Sequence, residues 1–210
     1  MTSKTTALLG IVGGVLFIAT AIASGFQMED YSHISQFISE AYAFGTTYGI
    51  YFRLAGYIPA GILLFFFGMN AYRFFEKSDR VKLGFIGFAV FYGLGTIMVS
   101  LFPCDEGCNK EFIQPSISQI IHNLLSVATY VIVPACLILI GSGLKKTKAL
   151  LGNTSMVLGT ISGLFALLLF SDHMSKFIGL YQRIVEASIL IWIFLIAGRL
   201  LKKRSTPEIY

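Results

Sequence analysis

The sequence predicts an all-α polytopic membrane protein, with six transmembrane helices and a short interfacial helix in the first outer loop. The composition is the first observation: of 210 residues, 55% are hydrophobic and 13% are charged, and the mean hydropathy is +0.74. This balance excludes a water-soluble enzyme. The apolar residues also fall in six stretches of about 20 residues or more, the length that a helix needs to cross a bilayer. Because the connectors are short, we expect one transmembrane domain over 1–210.

The six spans are continuously apolar, which favours helices over the alternating strands of a membrane barrel. Each backbone amide is then hydrogen-bonded inside its own span. The first apolar run is longer than the core of a signal peptide and five more spans follow, so we expect it to remain uncleaved. The predicted spans are 6–26, 48–74, 81–102, 116–144, 150–171 and 177–201.

The first outer connector, about 27–47, is the longest, and its segment 31–44 is too polar to span a membrane. Ile34, Phe37, Ile38 and Ala41 recur at helical spacing, which is typical of an amphipathic helix. We therefore predict a short helix that lies in the interface across the outer mouth of the bundle.

Lysine and arginine residues indicate the orientation, because cytoplasmic connectors retain them. Twelve of the 16 lie on one side of the predicted spans, so we expect both termini to be cytoplasmic in the inner membrane. Topology thus accounts for the net charge of +5, and no nucleic-acid partner is expected. The twelve are Lys4, Arg73, Lys77, Arg80, Lys82, Lys145, Lys146, Lys148, Arg199, Lys202, Lys203 and Arg204.

Two pairs of glycines have the spacing of close helix contacts. Gly10 and Gly14 lie in the first span, and Gly159 and Gly163 lie in the fifth. Small residues four apart let two helix backbones approach closely. Such faces serve equally within a chain or between chains, so the oligomeric state is left open.

Polar and ionisable residues collect in the outer half of the spans and in the first outer connector. Charges at that depth cost a few kcal/mol each unless they are paired or hydrated, so they should face the bundle interior. We predict a polar pocket, open to the outside, that binds a membrane lipid or a small amphiphile. The candidate ligand-binding residues are Ser39, Glu40, Arg53, Asn123, Ser126, Gln182 and Arg183, and the candidate catalytic residues are His122, Asp172 and Glu186.

In this hypothesis Arg53 and Arg183 hold an anionic head group, while His122 or Glu186 acts as a base or ligand. The alternative is a purely structural lock, in which Arg53 pairs with Glu186 or Asp172 and Arg183 pairs with Glu186.

Zinc is the one cofactor for which the sequence offers ligands. His33, His122 and His173 all fall on the outer side, and a catalytic zinc ion takes three protein ligands and a water. The chain has no H-E-x-x-H motif. A serine hydrolase using Ser126, one turn after His122, or the loop residues Ser35 and Ser39, is a further alternative, although no G-x-S-x-G elbow occurs. Haem held by two histidine pairs needs four histidines and the chain has three, so no haem is expected.

Cys104 and Cys108 lie in the outer connector between spans three and four, in a compartment where disulfides persist. We predict a disulfide between them. A redox-active pair, or a metal clasp with Asp105 and Glu106, is the alternative interpretation. Cys136, deep in the fourth span, is predicted to be a packing residue.

Several short motifs together resemble a bacterial and archaeal family of six-helix membrane proteins of unknown function. The resemblance covers almost the whole chain and implies a compact six-span fold with an outer polar site, but no reaction. It rests on Ile38-Ser39-Glu40, Phe102-Pro103-Cys104-Asp105-Glu106-Gly107-Cys108, His122-Asn123, and Gly179-Leu180-Tyr181-Gln182-Arg183 with Glu186 and Trp192.

Three functional classes follow from these patterns. The first is a membrane-embedded binding site that hydrolyses or modifies its ligand if it is catalytic. The second is a transporter or sensor that uses the same pocket, although no inverted repeat or broken helix supports alternating access. The third is a structural membrane protein whose buried ion pairs fix the helix register.

Overall fold

Six long helices form the protein in a computed structural model that describes residues 1–172 and 174–202. Each is long and apolar enough to cross a membrane, so the chain is a multi-pass membrane protein. The predicted span boundaries agree with the helix ends to within three residues. The helices are α1 (Ser3–Phe26), α2 (Gly49–Phe74), α3 (Asp79–Leu101), α4 (Ile117–Leu144), α5 (Ala149–Ser171) and α6 (Ile178–Leu201).

The helices form a closed ring. Each packs against its neighbours in the chain, and α6 returns to pack against α1. Each connector joins two helix ends on the same side of the bundle, so successive helices are antiparallel. We call the end of the bundle that carries Cys104 and Cys108 the disulfide end, and the end that carries the connectors 75–78 and 145–148 the basic end.

The predicted glycine faces make contacts inside this ring. A side chain on Gly10 would meet the Phe67 ring of α2, and one on Gly14 would meet Phe194 of α6. In α5, a Cβ atom on Gly159 would lie 2.8 Å from the carbonyl oxygen of Pro134 in α4. The small residues therefore set the close approach of α1 to α2 and α6, and of α5 to α4.

Two of the helices contain a wider, π-helical turn, Phe52–Tyr57 in α2 and Ala89–Leu94 in α3. Pro59 follows the first of these turns and has no N–H to donate to the preceding turn, which favours a local departure from α-helical bonding. Each π-helical turn carries a tyrosine, Tyr57 or Tyr92, that is 1% exposed. Such turns often occur at functional sites.

Large aromatic side chains fill the middle of the ring. Trp192 is fully buried, and its ring centroid lies 5.0 Å from that of Phe88 and 5.5 Å from that of Phe85. Its indole Nε1 donates a 3.0 Å hydrogen bond to Ser155 Oγ. Because Phe85 and Phe88 precede Tyr92 along α3, this aromatic block lies on the basic-end side of the polar residues described below.

The connector between α1 and α2 folds inward over the disulfide end, and we call its residues 31–44 the cap segment. The predicted helix is present only as a five-residue 3₁₀ turn, Ile38–Tyr42, and all five of its residues are buried. It is shorter and deeper than an interfacial helix because α6 binds its backbone. Gln182 Oε1 accepts a 2.6 Å bond from the Ile38 amide, and Arg183 donates a 2.8 Å bond to the Gln36 carbonyl.

We predict that Gly159→Ala destabilises the bundle by about 1–3 kcal/mol, because the new methyl group would press on the backbone of α4. Gly198→Ala in α6 is the matched control, since a side chain there meets open space. It should leave stability unchanged or raise it by up to about 1 kcal/mol. Denaturant titration of both purified variants measures the difference, and equal stabilities would contradict the proposed α4–α5 contact.

Candidate functional site

Two adjoining cavities lie near the disulfide end. The larger, which we call the disulfide-end cavity, has a volume of about 260 Å³ and reaches from Lys110 to Phe170. The smaller, the tyrosine cavity, has a volume of about 50 Å³ and is lined by four tyrosines and Glu186. The residues that line both are Ser39, His122, Ser126, Tyr130 and Gln182.

Glu186 is the central polar residue of the bundle and is 6% exposed. The hydroxyl of Tyr92 donates a 2.7 Å hydrogen bond to Glu186 Oε2, and the hydroxyl of Tyr130 donates a 2.7 Å bond to Oε1. These bonds join α3, α4 and α6 at one depth. Within the described residues Glu186 forms no ion pair, so the pairs with Arg53 or Arg183 that the structural-lock alternative requires are not formed.

Gln182 lies one turn before Glu186 on α6 and connects three elements. Its Oε1 accepts the Ile38 amide, and its Nε2 donates a 3.1 Å bond to the Tyr130 hydroxyl. Both ends of the side-chain amide are thus engaged. Gln182 fixes the cap segment to the same tyrosine that binds Glu186.

His122 borders both cavities and is 5% exposed. Its Nδ1 lies 2.9 Å from the Phe102 carbonyl oxygen and 3.3 Å from that of Val99. Because carbonyl oxygens only accept, Nδ1 carries the hydrogen, and in the neutral ring Nε2 is left with a free lone pair.

Two further polar residues of α4 line the disulfide-end cavity. Asn123 Oδ1 accepts a 2.8 Å bond from Gln119 Nε2, and Gln119 in turn accepts the Asp105 amide. The Ser126 hydroxyl, by contrast, makes no side-chain hydrogen bond within residues 1–172 and 174–202. The structure therefore brings together His122, Asn123, Ser126, Gln182 and Glu186 from the predicted site.

The two arginines lie elsewhere, and neither lines these cavities. Arg183 donates to the Gln36 carbonyl, to the Tyr31 hydroxyl at 2.8 Å and to His33 Nδ1 at 3.1 Å. Desolvation and the positive charge of Arg183 lower the pKa of His33, which favours a neutral imidazole. Arg53 lies 3.4 Å from the Gly49 and Ser100 carbonyl oxygens. Both guanidinium groups bind backbone oxygens.

The cap segment and the disulfide loop hold each other. The predicted Cys104–Cys108 disulfide is present, and Ser39 Oγ lies 3.2 Å from Cys108 Sγ. Glu40 is 4% exposed, pairs with Lys110 at 2.8 Å and accepts the Phe37 amide at 2.7 Å. Ser39 therefore lines the cavities, whereas Glu40 fastens the cap.

The metal prediction is only partly covered by the structure. Within the described chain, no group of three side chains drawn from histidine, cysteine, aspartate and glutamate lies close enough together to hold a metal ion. His33 is exposed and lies in a groove between α1 and α6, apart from the cavities that His122 lines. Asp172 is exposed at the end of α5. His173 lies outside the described residues, so the three-histidine zinc site stays a prediction.

Sequence reasoning missed three tyrosines of the smaller cavity, Tyr42, Tyr57 and Tyr92. A signal was available for two of them. Tyr57, Tyr92 and Glu186 each lie roughly 12–14 Å from the disulfide end of their helices, at 1.5 Å per residue. Tyrosine is ordinarily enriched at the membrane–water interface, so its recurrence at this depth marks a polar interior.

The fold and these cavities define a six-helix membrane protein with a polar interior near one end. The chain belongs to the family described as "Protein of unknown function (DUF998)", which it matches over residues 11–199. This match confirms the predicted membership in a family without an assigned activity. No curated protein and no solved structure matches the chain.

We predict that Gln182→Leu destabilises the protein by about 1–3 kcal/mol for each buried group left without its partner. The Ile38 amide loses its acceptor, and the cap segment should become accessible to added protease. Asn153→Leu is the matched control, because Asn153 is an exposed amide side chain in α5. Cap cleavage at the same rate in the two variants would show that Gln182 does not hold the segment.

Proposed function

We propose that this protein binds an amphiphile whose polar head occupies the two cavities and whose apolar tail passes between α4 and α5. One observation carries the proposal: the disulfide-end cavity has a polar wall and an apolar wall. The polar wall is formed by residues such as His122 and Gln182. The apolar wall is formed by Val127, Leu169 and Phe170.

The apolar wall reaches the surface of the bundle. Val127 is 45% exposed and Phe170 is 37% exposed, on helices of membrane-spanning length. A lipid tail that leaves the cavity here would stay in hydrocarbon. An amphiphile could therefore enter the cavity laterally from the bilayer. A fully water-soluble ligand could not use this route, because it does not partition into the hydrocarbon.

The orientation forms part of the proposal. Basic connectors favour a cytoplasmic basic end, with both termini on that side of an inner membrane. The disulfide end then faces an oxidising compartment, where the Cys104–Cys108 bond persists. The ligand would come from the outer leaflet.

Binding is favoured over passage through the bundle. Phe85, Phe88 and Trp192 are fully buried and pack together below the tyrosine cavity. Dense aromatic packing leaves no continuous polar path toward the basic end through these three residues. A transporter, which is the alternative, would have to separate these rings.

Hydrolysis of the bound amphiphile is a second candidate function, favoured by the tautomer of His122. The free Nε2 lone pair suits a general base, and Ser126 lies one helical turn away. Loss of lipid hydrolysis in a folded His122→Ala protein would support this activity. Retained hydrolysis would remove His122 from the mechanism.

We predict that Ser126→Phe displaces the amphiphile, because the ring would fill the boundary between the cavities without removing a hydrogen bond. Native mass spectrometry of protein purified in mild detergent should show a bound lipid on the wild type and its loss from the variant. Val131→Phe is the control: it adds a ring of similar size to α4 at a side chain that is 56% exposed.

The two variants separate occupancy of the cavity from general lipid adhesion. Equal lipid retention by Ser126→Phe and wild type would contradict the proposal. Equal loss from both variants would assign the lipid to the outer surface of α4 instead.

A further inference from the structure

The tyrosine cavity contains an acidic group without a matching cation. Within the described chain Glu186 is bonded by two neutral phenols and by no lysine, arginine or histidine. Each carboxylate oxygen accepts one of these bonds and has a further lone pair. An ionised carboxylate in a membrane interior is costly unless it is paired. A positively charged partner would remove this cost, and the further lone pairs could accept its N–H groups.

The cations that line the neighbouring cavity and groove, Lys110 and Arg183, are bound to other groups. Arg183 shares the α1–α6 groove with Glu186, but its guanidinium donates to the Gln36 carbonyl and the Tyr31 hydroxyl. Lys110 pairs with Glu40. The partner of Glu186 is therefore expected from outside the chain.

A second observation points to a ligand in the same cavity. Tyr57 Oη is the buried side-chain polar atom that makes no hydrogen bond within the described residues. Tyr57 is 1% exposed and lines the tyrosine cavity. Ser24 lies close to this hydroxyl without the geometry of a hydrogen bond. A buried hydroxyl without a partner carries a desolvation cost that a ligand's N–H group would relieve.

Aromatic rings complete the surroundings of Glu186. The ring centroids of Tyr42 and Tyr57 lie 4.6 Å apart, and Phe17 lies 5.3 Å from Tyr57 and 6.1 Å from Tyr92. Electron-rich ring faces attract organic cations, most strongly where water is excluded. The Glu186 carboxylate and the aromatic rings therefore both favour a positively charged ligand group.

The volume of the tyrosine cavity limits which kinds of cationic group can fit in it. A volume of about 50 Å³ holds roughly three to five water-sized groups. A primary ammonium is close to water in size and carries three N–H donors. A trimethylammonium group is bulkier and has no N–H group for Glu186 or for Tyr57 Oη.

We propose that the ligand head group is a primary ammonium, which donates to Glu186 and to Tyr57 Oη inside the ring of tyrosines. This inference rests on the proposed function and replaces the anionic head group expected from Arg53 and Arg183. An aminophospholipid and a single-chain alkylamine both carry this group, and the tail of either would leave along Val127 and Phe170.

The test uses four probes with an eight-carbon chain at pH 7 and isothermal titration calorimetry of the full-length protein in maltoside micelles. The probes are octylamine, octyltrimethylammonium, octanol and octanoate. Octylamine should bind saturably and about tenfold or more tighter than the other three, which corresponds to about 1.4 kcal/mol or more. Equal binding of octylamine and octanol would overturn the ammonium assignment.

Glu186→Gln keeps the side-chain size and removes the charge, so octylamine affinity should fall by about tenfold or more. Glu76→Gln is the matched control, because Glu76 lies at the basic end and is 59% exposed. It should leave octylamine affinity unchanged. An unchanged affinity in Glu186→Gln would overturn the proposal.

Tyr57→Phe provides a second variant if Glu186→Gln fails to fold. It removes only the unpartnered hydroxyl, so the protein should be at least as stable as wild type. Its octylamine affinity should nevertheless fall several-fold. Full affinity in this stable variant would overturn the assigned role of Tyr57 Oη, and with it the geometry proposed for the ammonium.

Ser126→Phe separates this inference from the proposed function. If all four probes bind wild type equally and Ser126→Phe blocks them, amphiphile binding stands and the ammonium inference falls. If Glu186→Gln weakens octylamine binding and Ser126→Phe leaves it unchanged, the amine site stands and the route through the disulfide-end cavity falls. No saturable binding of any probe would overturn both.

Nanodiscs distinguish the two sources of the ammonium. Native mass spectrometry should show selective retention of phosphatidylethanolamine over phosphatidylcholine if the ligand is an aminophospholipid. Octylamine binding without such selectivity would assign the site to single-chain amines.

Discussion

The carboxyl group of Glu186, held between the hydroxyls of Tyr92 and Tyr130, is the contact on which the polar half of the bundle depends. Water is scarce inside a membrane protein, so each buried polar atom must find its partner in the chain or in a ligand. Glu186 provides the acceptors for the hydroxyl hydrogens of both phenols. It thereby fixes α3, α4 and α6 at one depth, with the aromatic packing of Trp192 directly below.

The closure of the disulfide end follows from this arrangement. Tyr130 also accepts a bond from Gln182, which holds the Ile38 amide of the cap segment. The cap in turn reaches the disulfide loop, because the Phe44 amide donates a 2.9 Å bond to the Cys104 carbonyl. A continuous path of hydrogen bonds and backbone therefore runs from the membrane interior to the disulfide loop. Loss of contacts at either end of this path should destabilise the other end.

The six helices could be predicted because span length and hydropathy are local properties of the sequence. The partners of the polar side chains could not, because they depend on where the cap segment folds. Arg183 and Glu186 have a spacing that favours an ion pair, yet the Gln36 carbonyl and the Tyr31 hydroxyl bind the guanidinium. The disulfide was predictable from a spacing of four residues, whereas Tyr57 and Tyr92 were missed because their role appears only when three helices meet.

The separation of charges along the membrane normal bears on what the interior can accept. Arg53 and Arg183 each lie about one turn into their spans and bind carbonyl oxygens of the backbone. The Gln36 and Ser100 carbonyl oxygens are acceptors that the irregular cap segment and the end of α3 leave open. Glu186 lies about a turn deeper than Arg183, and its hydrogen-bond donors within the described residues are neutral. Under the proposed amine site, the carboxyl group and the tyrosine rings set the interior potential, and such an environment attracts cations and disfavours anions.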